Sequence, residues 1–178
     1  LMRLLIVRHA DPDYSIDSLT EKGWREAELL SERLIKLDVK DFYVSPMGRA
    51  KDTASFTLKK LGRTATECDW LQEFNVTIQK PDYGAHSGAW DWLPQSWTTI
   101  PEFYSEKEWL TVPVFADSEV PQRYHYVITE FDKLLKQHGY EREGRIYKAV
   151  KSNHDTIVFF CHFGIECVLL SHLLGISP

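Results

Sequence analysis

"LLIVRHADPDY", residues 4–14, is the stretch whose reading decides the fold. Leu4 to Val7 run without a polar break, the pattern of a strand buried on both faces in a parallel sheet rather than one alternating between core and water. The run stops at Arg8 and His9, side chains that resist burial. "TIVFFCH", residues 156–162, repeats the design, a continuous apolar run that ends on His162. In open α/β sheets ligands bind in the crevice outside the carboxyl ends of the strands. Two central parallel strands of this kind would therefore bring His9 and His162 to one edge.

Working outward, the pattern changes from Thr20 onward to a period near 3.6, with Trp24, Ala27, Leu30 and Leu34 on one face. This predicts a helix capped by Ser18 or Thr20, with Glu21 completing a capping box from Ser18. "FYVS" at 42–45 reads as a second strand. It leads through Pro46 and Gly48 into a helix from about Arg49 to Leu61 that Gly62 can end. Arg49 then falls at the same sheet edge. "TECDWLQEF" at 66–74 has room for a further strand. Residues 75–117 are rich in Pro and Trp and hold no sustained period, so they read as an irregular insertion or lid with short helices. Trp90, Trp92 and Trp97 are expected to pack that segment down rather than to bind a ligand. Further helices are predicted over 118–137, ended by Gly139, and over 165–174, ended by Gly175. Alternation of strand and helix gives an α/β class, in which a three-layer sandwich with a mostly parallel central sheet flanked by helices is expected. At 178 residues, 43% of them hydrophobic, the chain is expected to form one domain over 1–178.

Charge narrows the function. Twenty-one basic residues against 26 acidic ones, interspersed and netting -5, argue against a nucleic-acid or anionic-membrane partner. An anionic ligand would need a local basic cluster. Arg8 and Arg49 with His9 and His162 would supply one, and the planar guanidinium fork suits phosphate oxygens. Three cysteines, Cys68, Cys161 and Cys167, form an odd set without C-x-x-C spacing, which suits a reducing, cytoplasmic setting. Leu4 to Val7 is too short for a signal-peptide core or a membrane span, and Leu1 ahead of Met2 reads as a cloning remnant. "CHFGIEC" at 161–167 could suggest zinc, but its ligands would alternate between strand and helix with no fourth partner nearby, so no metal is expected. His86, His125, His138, His154 and His172 lack partners at ligand spacing and read as ordinary histidines.

The sequence resembles the histidine phosphatase superfamily, also called phosphoglycerate mutase-like. The family's R-H-G motif is matched by Arg8, His9 and Ala10, and its L-T-x-x-G-x-x-x-A by Leu19, Thr20, Gly23 and Ala27. Its S-P-x-x-R-A-x-x-T-A is matched by Ser45, Pro46, Arg49, Ala50, Thr53 and Ala54, its L-x-E by Leu71 and Glu73, and its H-x-G by His162 and Gly164. Order and spacing together make the match specific. The resemblance implies that His9 is the nucleophile forming a phosphohistidine, that Arg8, Arg49 and His162 grip the phosphate, and that Glu73 is the general acid and then base. Thr20 would be only a cap. No metal or organic cofactor is implied, and the partner would be a phosphorylated small molecule or a phosphoprotein.

Departures sharpen the choice of reaction. Ala10 in place of the family's glycine requires a backbone with φ below zero. Mutase-like members have a hydroxyl residue and an asparagine that touch the phosphate, where this chain has Pro12 and Ser15. Ser15 could still donate one weak hydrogen bond. Together with the short length, this favours a phosphatase over a mutase, and retention of both histidines and both arginines argues against a non-catalytic phosphate-binding or regulatory member of the fold. The chain stops soon after Gly175, where family members add a strand or helix, so a truncated product with an uncovered sheet edge is a further expectation.

Overall fold

The register of the central sheet explains why both apolar runs end at one edge. The computed structural model describes residues 1–80, 86–90 and 92–178, and only the backbone of residues 86 and 87. In chain order the principal elements are β1 (Arg3–Arg8), α1 (Glu21–Leu34), β2 (Asp41–Val44), α2 (Gly48–Leu61), β3 (Thr66–Glu67), α3 (Val120–Gln137), β4 (Thr156–Cys161) and α4 (Phe163–Leu174). The chain divides into two compact units, Leu1–Glu73 with Lys151–Glu166, and Phe74–Val150 with Cys167–Pro178.

The first unit holds a four-stranded sheet in the order β1-β4-β2-β3, all pairs parallel. Arg3 pairs with Thr156 and the ladder runs level to Arg8 opposite Cys161, while Phe160 pairs with Val44. His9, Ser45 and His162 therefore leave the sheet at the same height. The backbone bonds from His9 N to Cys161 O (3.0 Å) and from Ser45 N to Phe160 O (2.9 Å) hold that edge. The α/β class with a parallel central sheet and flanking helices is thus the observed one. One expectation fails. β4 is buried along its whole length, but Leu4 to Val7 are only half-buried, because β1 is the outer strand of this sheet among the described residues.

Helices α1 and α2 close one face of the sheet over Leu34, Val39, Phe42, Val44, Ala50, Ala54, Val158 and Phe160. Each fully buried Phe or Val there contributes about 2 kcal/mol by leaving water. Across the sheet, Phe159 meets Tyr43 and Trp70 edge-on at 5.5 and 5.7 Å. Thr20 caps α1 by accepting from Gly23 N, whereas Ser18 belongs to a short antiparallel bridge, Pro12–Asp13 with Ser18–Leu19. The buried stripe of α1 is Gly23, Ala27, Ser31 and Leu34, so Trp24 lies outside it, 36% exposed against the edge of Phe56. The reason is a close approach, since a Cβ on Gly23 would sit 2.1 Å from the Asp11 carbonyl oxygen. Gly48 makes the same approach to the Asp17 carbonyl oxygen, again at 2.1 Å. Segment 9–20 is thereby pressed against the first turns of both helices. At the other end of α2, Gly62 at φ 62° forms the left-handed cap the sequence predicts.

The second unit carries the irregular segment. Residues 81–85 and 91 of the predicted insertion lie outside the described residues. The remainder has short helices, as expected, at Pro94–Trp97, Pro101–Tyr104, Trp109–Thr111 and Pro113–Ala116. Trp90 and Trp92 pack against Phe115, with Trp109 and Phe103 against the same ring, and Trp97 rests on Tyr104. Two hairpins, Thr77–Gln79 with His86–Gly88 and Tyr140–Glu143 with Ile146–Ala149, have no counterpart in the sequence reading. No helix among the described residues is long and apolar enough to cross a membrane.

Candidate active site

Five of the predicted site residues, Arg8, His9, Arg49, Glu73 and His162, all belong to the first unit. The chain delivers them in different ways. Arg8 and His9 ride out on the end of β1, His162 follows β4, and Arg49 stands in the first turn of α2. His9 and Arg49 are each 6% exposed and His162 is fully buried, whereas Arg8 is exposed. The His9 and His162 rings lie 5.3 Å apart, centroid to centroid.

Hydrogen bonds fix the tautomer of both rings. His9 Nδ1 lies 2.8 Å from the Ala10 carbonyl oxygen, which can only accept, so Nδ1 carries the proton and Nε2 the lone pair. Ala10 is itself anchored, its N–H donating to Thr53 Oγ1 (3.0 Å), whose hydroxyl donates to Arg49 O (2.7 Å). Its backbone avoids positive φ, as the sequence requires. His162 Nε2 lies 2.8 Å from Ser45 Oγ, and that oxygen already accepts from Met47 N (3.2 Å). The oxygen has a second lone pair, but Nε2 is the one acceptor that the Ser45 hydroxyl reaches among the described residues, so the hydroxyl proton is placed on Nε2 and the N–H of His162 on Nδ1.

Burial holds the His9 ring below its ordinary 6.5. Arg49 and Arg8 push the same way, against the Ala10 bond and the charge of Glu73. Burial, then Arg49 and His9, push His162 down to about 3. Both rings are neutral at neutral pH. Burial also pushes the Cys161 thiol up to about 12, so this neighbour of His162 is no thiolate nucleophile.

Four buried side-chain atoms among the described residues have no hydrogen-bond partner, Arg49 Nε, Thr57 Oγ1, Trp90 Nε1 and His162 Nδ1, and two of them, Arg49 Nε and His162 Nδ1, belong to predicted site residues. Buried donors in folded proteins are nearly always paired, so each such exception requires an explanation. The rest of the Arg49 guanidinium is held. Nη1 donates to Asp17 Oδ1 at 2.6 Å, Nη2 reaches Met47 Sδ at 3.5 Å, and the Tyr14 ring lies 5.3 Å from its carbon. Asp17 also accepts from Gly48 N (2.7 Å) and adopts φ 47°, the one positive φ outside glycine among the described residues. Although burial opposes it, the Gly48 N–H and Arg49 hold the Asp17 carboxyl below its ordinary value. Asp17 and Ser45 are the functional neighbours that sequence reasoning missed. Ser45 stood in a recognised motif without a role, and Asp17 had no signal beyond its proximity to Thr20.

Glu73 is half-buried and accepts from Ile165 N (3.3 Å), at the positive end of α4. Ser15 does not join the cluster, because it is exposed and its hydroxyl donates to Asp13 Oδ1 at 2.5 Å, closing a local turn. Of the histidines read as ordinary, His172 bonds Asp132 at 2.9 Å in the second unit, and His154 meets the Leu1 amine. The side chain of His86 is outside the described residues. No group of three His, Cys, Asp or Glu among the described residues is arranged to hold a metal ion.

Comparison with known proteins gives the family and the fold. A sequence model of the histidine phosphatase superfamily (branch 1) matches residues 4–112. The 2,3-bisphosphoglycerate-dependent phosphoglycerate mutase of Thermoplasma acidophilum is 38% identical over 60 aligned residues, 28% of this chain and 30% of its own. The mitochondrial serine/threonine-protein phosphatase Pgam5 of Caenorhabditis elegans is 32% identical over 109 residues, 58% of this chain and 35% of its own. The chain thus spans about a third of the length of these curated relatives. Among solved structures, the alpha-ribazole phosphatase from Shigella flexneri superposes with a TM-score of 0.56 at 18% identity, covering 99% of this chain and 81% of its own. A mycobacterial glucosyl-3-phosphoglycerate phosphatase does so with a TM-score of 0.55 at 18% identity, covering 97% and 79%. At that identity the likeness is one of fold.

Proposed function

Since the chain belongs to the histidine phosphatase superfamily, we propose that it hydrolyses phosphate monoesters through a covalent phosphohistidine on His9. The observation that carries this reading is the pair of buried, unpartnered donors, Arg49 Nε and His162 Nδ1, beside the free lone pair of His9 Nε2. A phosphoryl group satisfies both donors at once. Neutral His9 attacks phosphorus as the ester P–O bond breaks. Arg8, Arg49 and His162 hold the equatorial oxygens as charge spreads over them. Glu73 gives a proton to the departing alkoxide. It then takes a proton from the water that breaks the P–N bond, and His9 leaves neutral with Nδ1 still protonated. Asp17 and Ser45 are positioning residues, the one holding the guanidinium of Arg49 and the other the tautomer of His162.

Hydrolysis is favoured over transfer to a second phosphorylated acceptor by Pro12, which has no hydroxyl, and by Ser15, whose hydroxyl is committed to Asp13. The two structural neighbours named for phosphatases of small phosphorylated molecules point the same way. The Thermoplasma relative, named a mutase, keeps phosphoryl transfer as the alternative. An assay of p-nitrophenyl phosphate hydrolysis in a chelating buffer tests the proposal. Turnover unaffected by the chelator is expected. A strict metal requirement, or transfer of phosphate only to a phosphorylated acceptor, would overturn it.

A further inference from the structure

The phosphate-gripping residues are flanked by aromatic rings that the proposed chemistry does not use. Phe163 follows His162 directly and is 57% exposed as the first residue of α4. Its ring lies 5.9 Å from the guanidinium carbon of Arg8. Tyr14 is 68% exposed, its ring 5.3 Å from the guanidinium carbon of Arg49 and 6.4 Å, edge-on, from the His9 ring. Each arginine of the cluster thus carries an aromatic ring more than half open to solvent. Contact with a guanidinium explains one face of each ring. It does not explain the area left in water beside the arginines that would hold the phosphate.

Resting on the phosphomonoester reading, we infer that Tyr14 and Phe163 form a substituent subsite. It selects esters in which an aromatic or similarly flat apolar group sits close to the phosphate, over esters of small polyols. Such a group covers the exposed ring area and stacks in the offset or edge-on geometries that aromatic pairs prefer. A hydroxylated chain gains nothing there, because its hydroxyls exchange water for hydrocarbon.

Non-hydrolysable ligands separate this inference from the catalytic one. Titration calorimetry compares benzylphosphonate with ethylphosphonate, which share the phosphate-like head and differ in the ring. Benzylphosphonate is expected to bind the unmodified chain about tenfold to a hundredfold more tightly, the discrimination typical of an apolar subsite. In Phe163→Ala and in Tyr14→Ala that ratio is expected to fall several-fold, and in Tyr14→Phe it is expected to stay. Equal affinities in the unmodified chain, or a ratio kept in both alanine variants, would overturn the subsite. Phosphonate binding with the expected ratio but no hydrolysis of benzyl or ethyl phosphate would leave the subsite standing and overturn the phosphatase reading. Where hydrolysis is seen, kcat/KM for free phosphotyrosine against a phosphotyrosyl peptide assigns the source of the aromatic group.

Discussion

Replacement of His9 by alanine is expected to lower kcat for phosphate monoesters by about four orders of magnitude or more, the loss typical of deleting a covalent nucleophile. The size follows from the geometry of the ring. His9 Nε2 carries the lone pair because Nδ1 is committed to the Ala10 carbonyl, and burial with Arg49 and Arg8 keeps the ring unprotonated. No neighbouring group can take over. Cys161 is held as a thiol, and His162 has its Nε2 lone pair on Ser45. A structural loss would have a different signature, so the variant is paired with His9→Asn, whose side-chain amide can still donate toward the Ala10 carbonyl. Both variants are expected to keep the thermal melting profile of the parent and to lack turnover. Retention of activity in either one would remove the nucleophile from the account.

Acidification is expected to destabilise the fold well before the carboxylates titrate. His162 has an ordinary value of 6.5 in the unfolded chain and about 3 in the folded one. Because the folded value is the lower, the unfolded chain binds the proton first. The contribution of the neutral ring is complete above pH 6.5 and is lost as pH falls toward 3. Each pH unit within that window costs about 1.4 kcal/mol for one such group. Between pH 6.5 and 5.5, above the carboxylate range, the loss from His162 alone is about 1 kcal/mol. His9, shifted in the same direction, adds to it. Urea unfolding midpoints measured across this window are expected to fall steeply in the parent chain and to fall much less in His162→Gln. A matching slope in the two proteins would mean that the ring is not held neutral by the fold. Catalysis is expected to follow the same sign, with the acid limb of kcat/KM lying below pH 6.5 as His9 takes up a proton.

What the sequence made legible was what repeats or punctuates. The two apolar runs, the glycine stops at Gly62, Gly139 and Gly175, and the 3.6 period of the long helices each reflect strong local physics, and each element lies within a few residues of its expected bounds. Arg8, His9, Arg49 and His162 were legible because strand ends and a helix start fix where they emerge. Features that depend on contacts between distant residues were hidden. Trp24 looked like core on periodicity alone. The approach of Gly23 to the Asp11 carbonyl, which turns the buried stripe of α1 by one residue, is not encoded in the local pattern. Ser15 could be assigned to the phosphate by position, yet a carboxylate two residues away captures its hydroxyl. Asp17 and Ser45 act through partners 32 and 117 residues distant, so their roles appear only once the chain is folded. The hairpins of the second unit were missed because strands of three or four residues without clean alternation resemble loops.

The central claim is that phosphate passes through a covalent bond to His9, and a rapid acid-free quench tests it directly. The chain is mixed with a radiolabelled phosphate monoester for milliseconds, denatured in alkali, which preserves phosphohistidine, digested and sequenced by mass. The account predicts label on the peptide bearing Arg8, His9 and Ala10, stable to base and released by mild acid. Efficient hydrolysis with no labelled peptide at any quench time, or label on another residue, would contradict it.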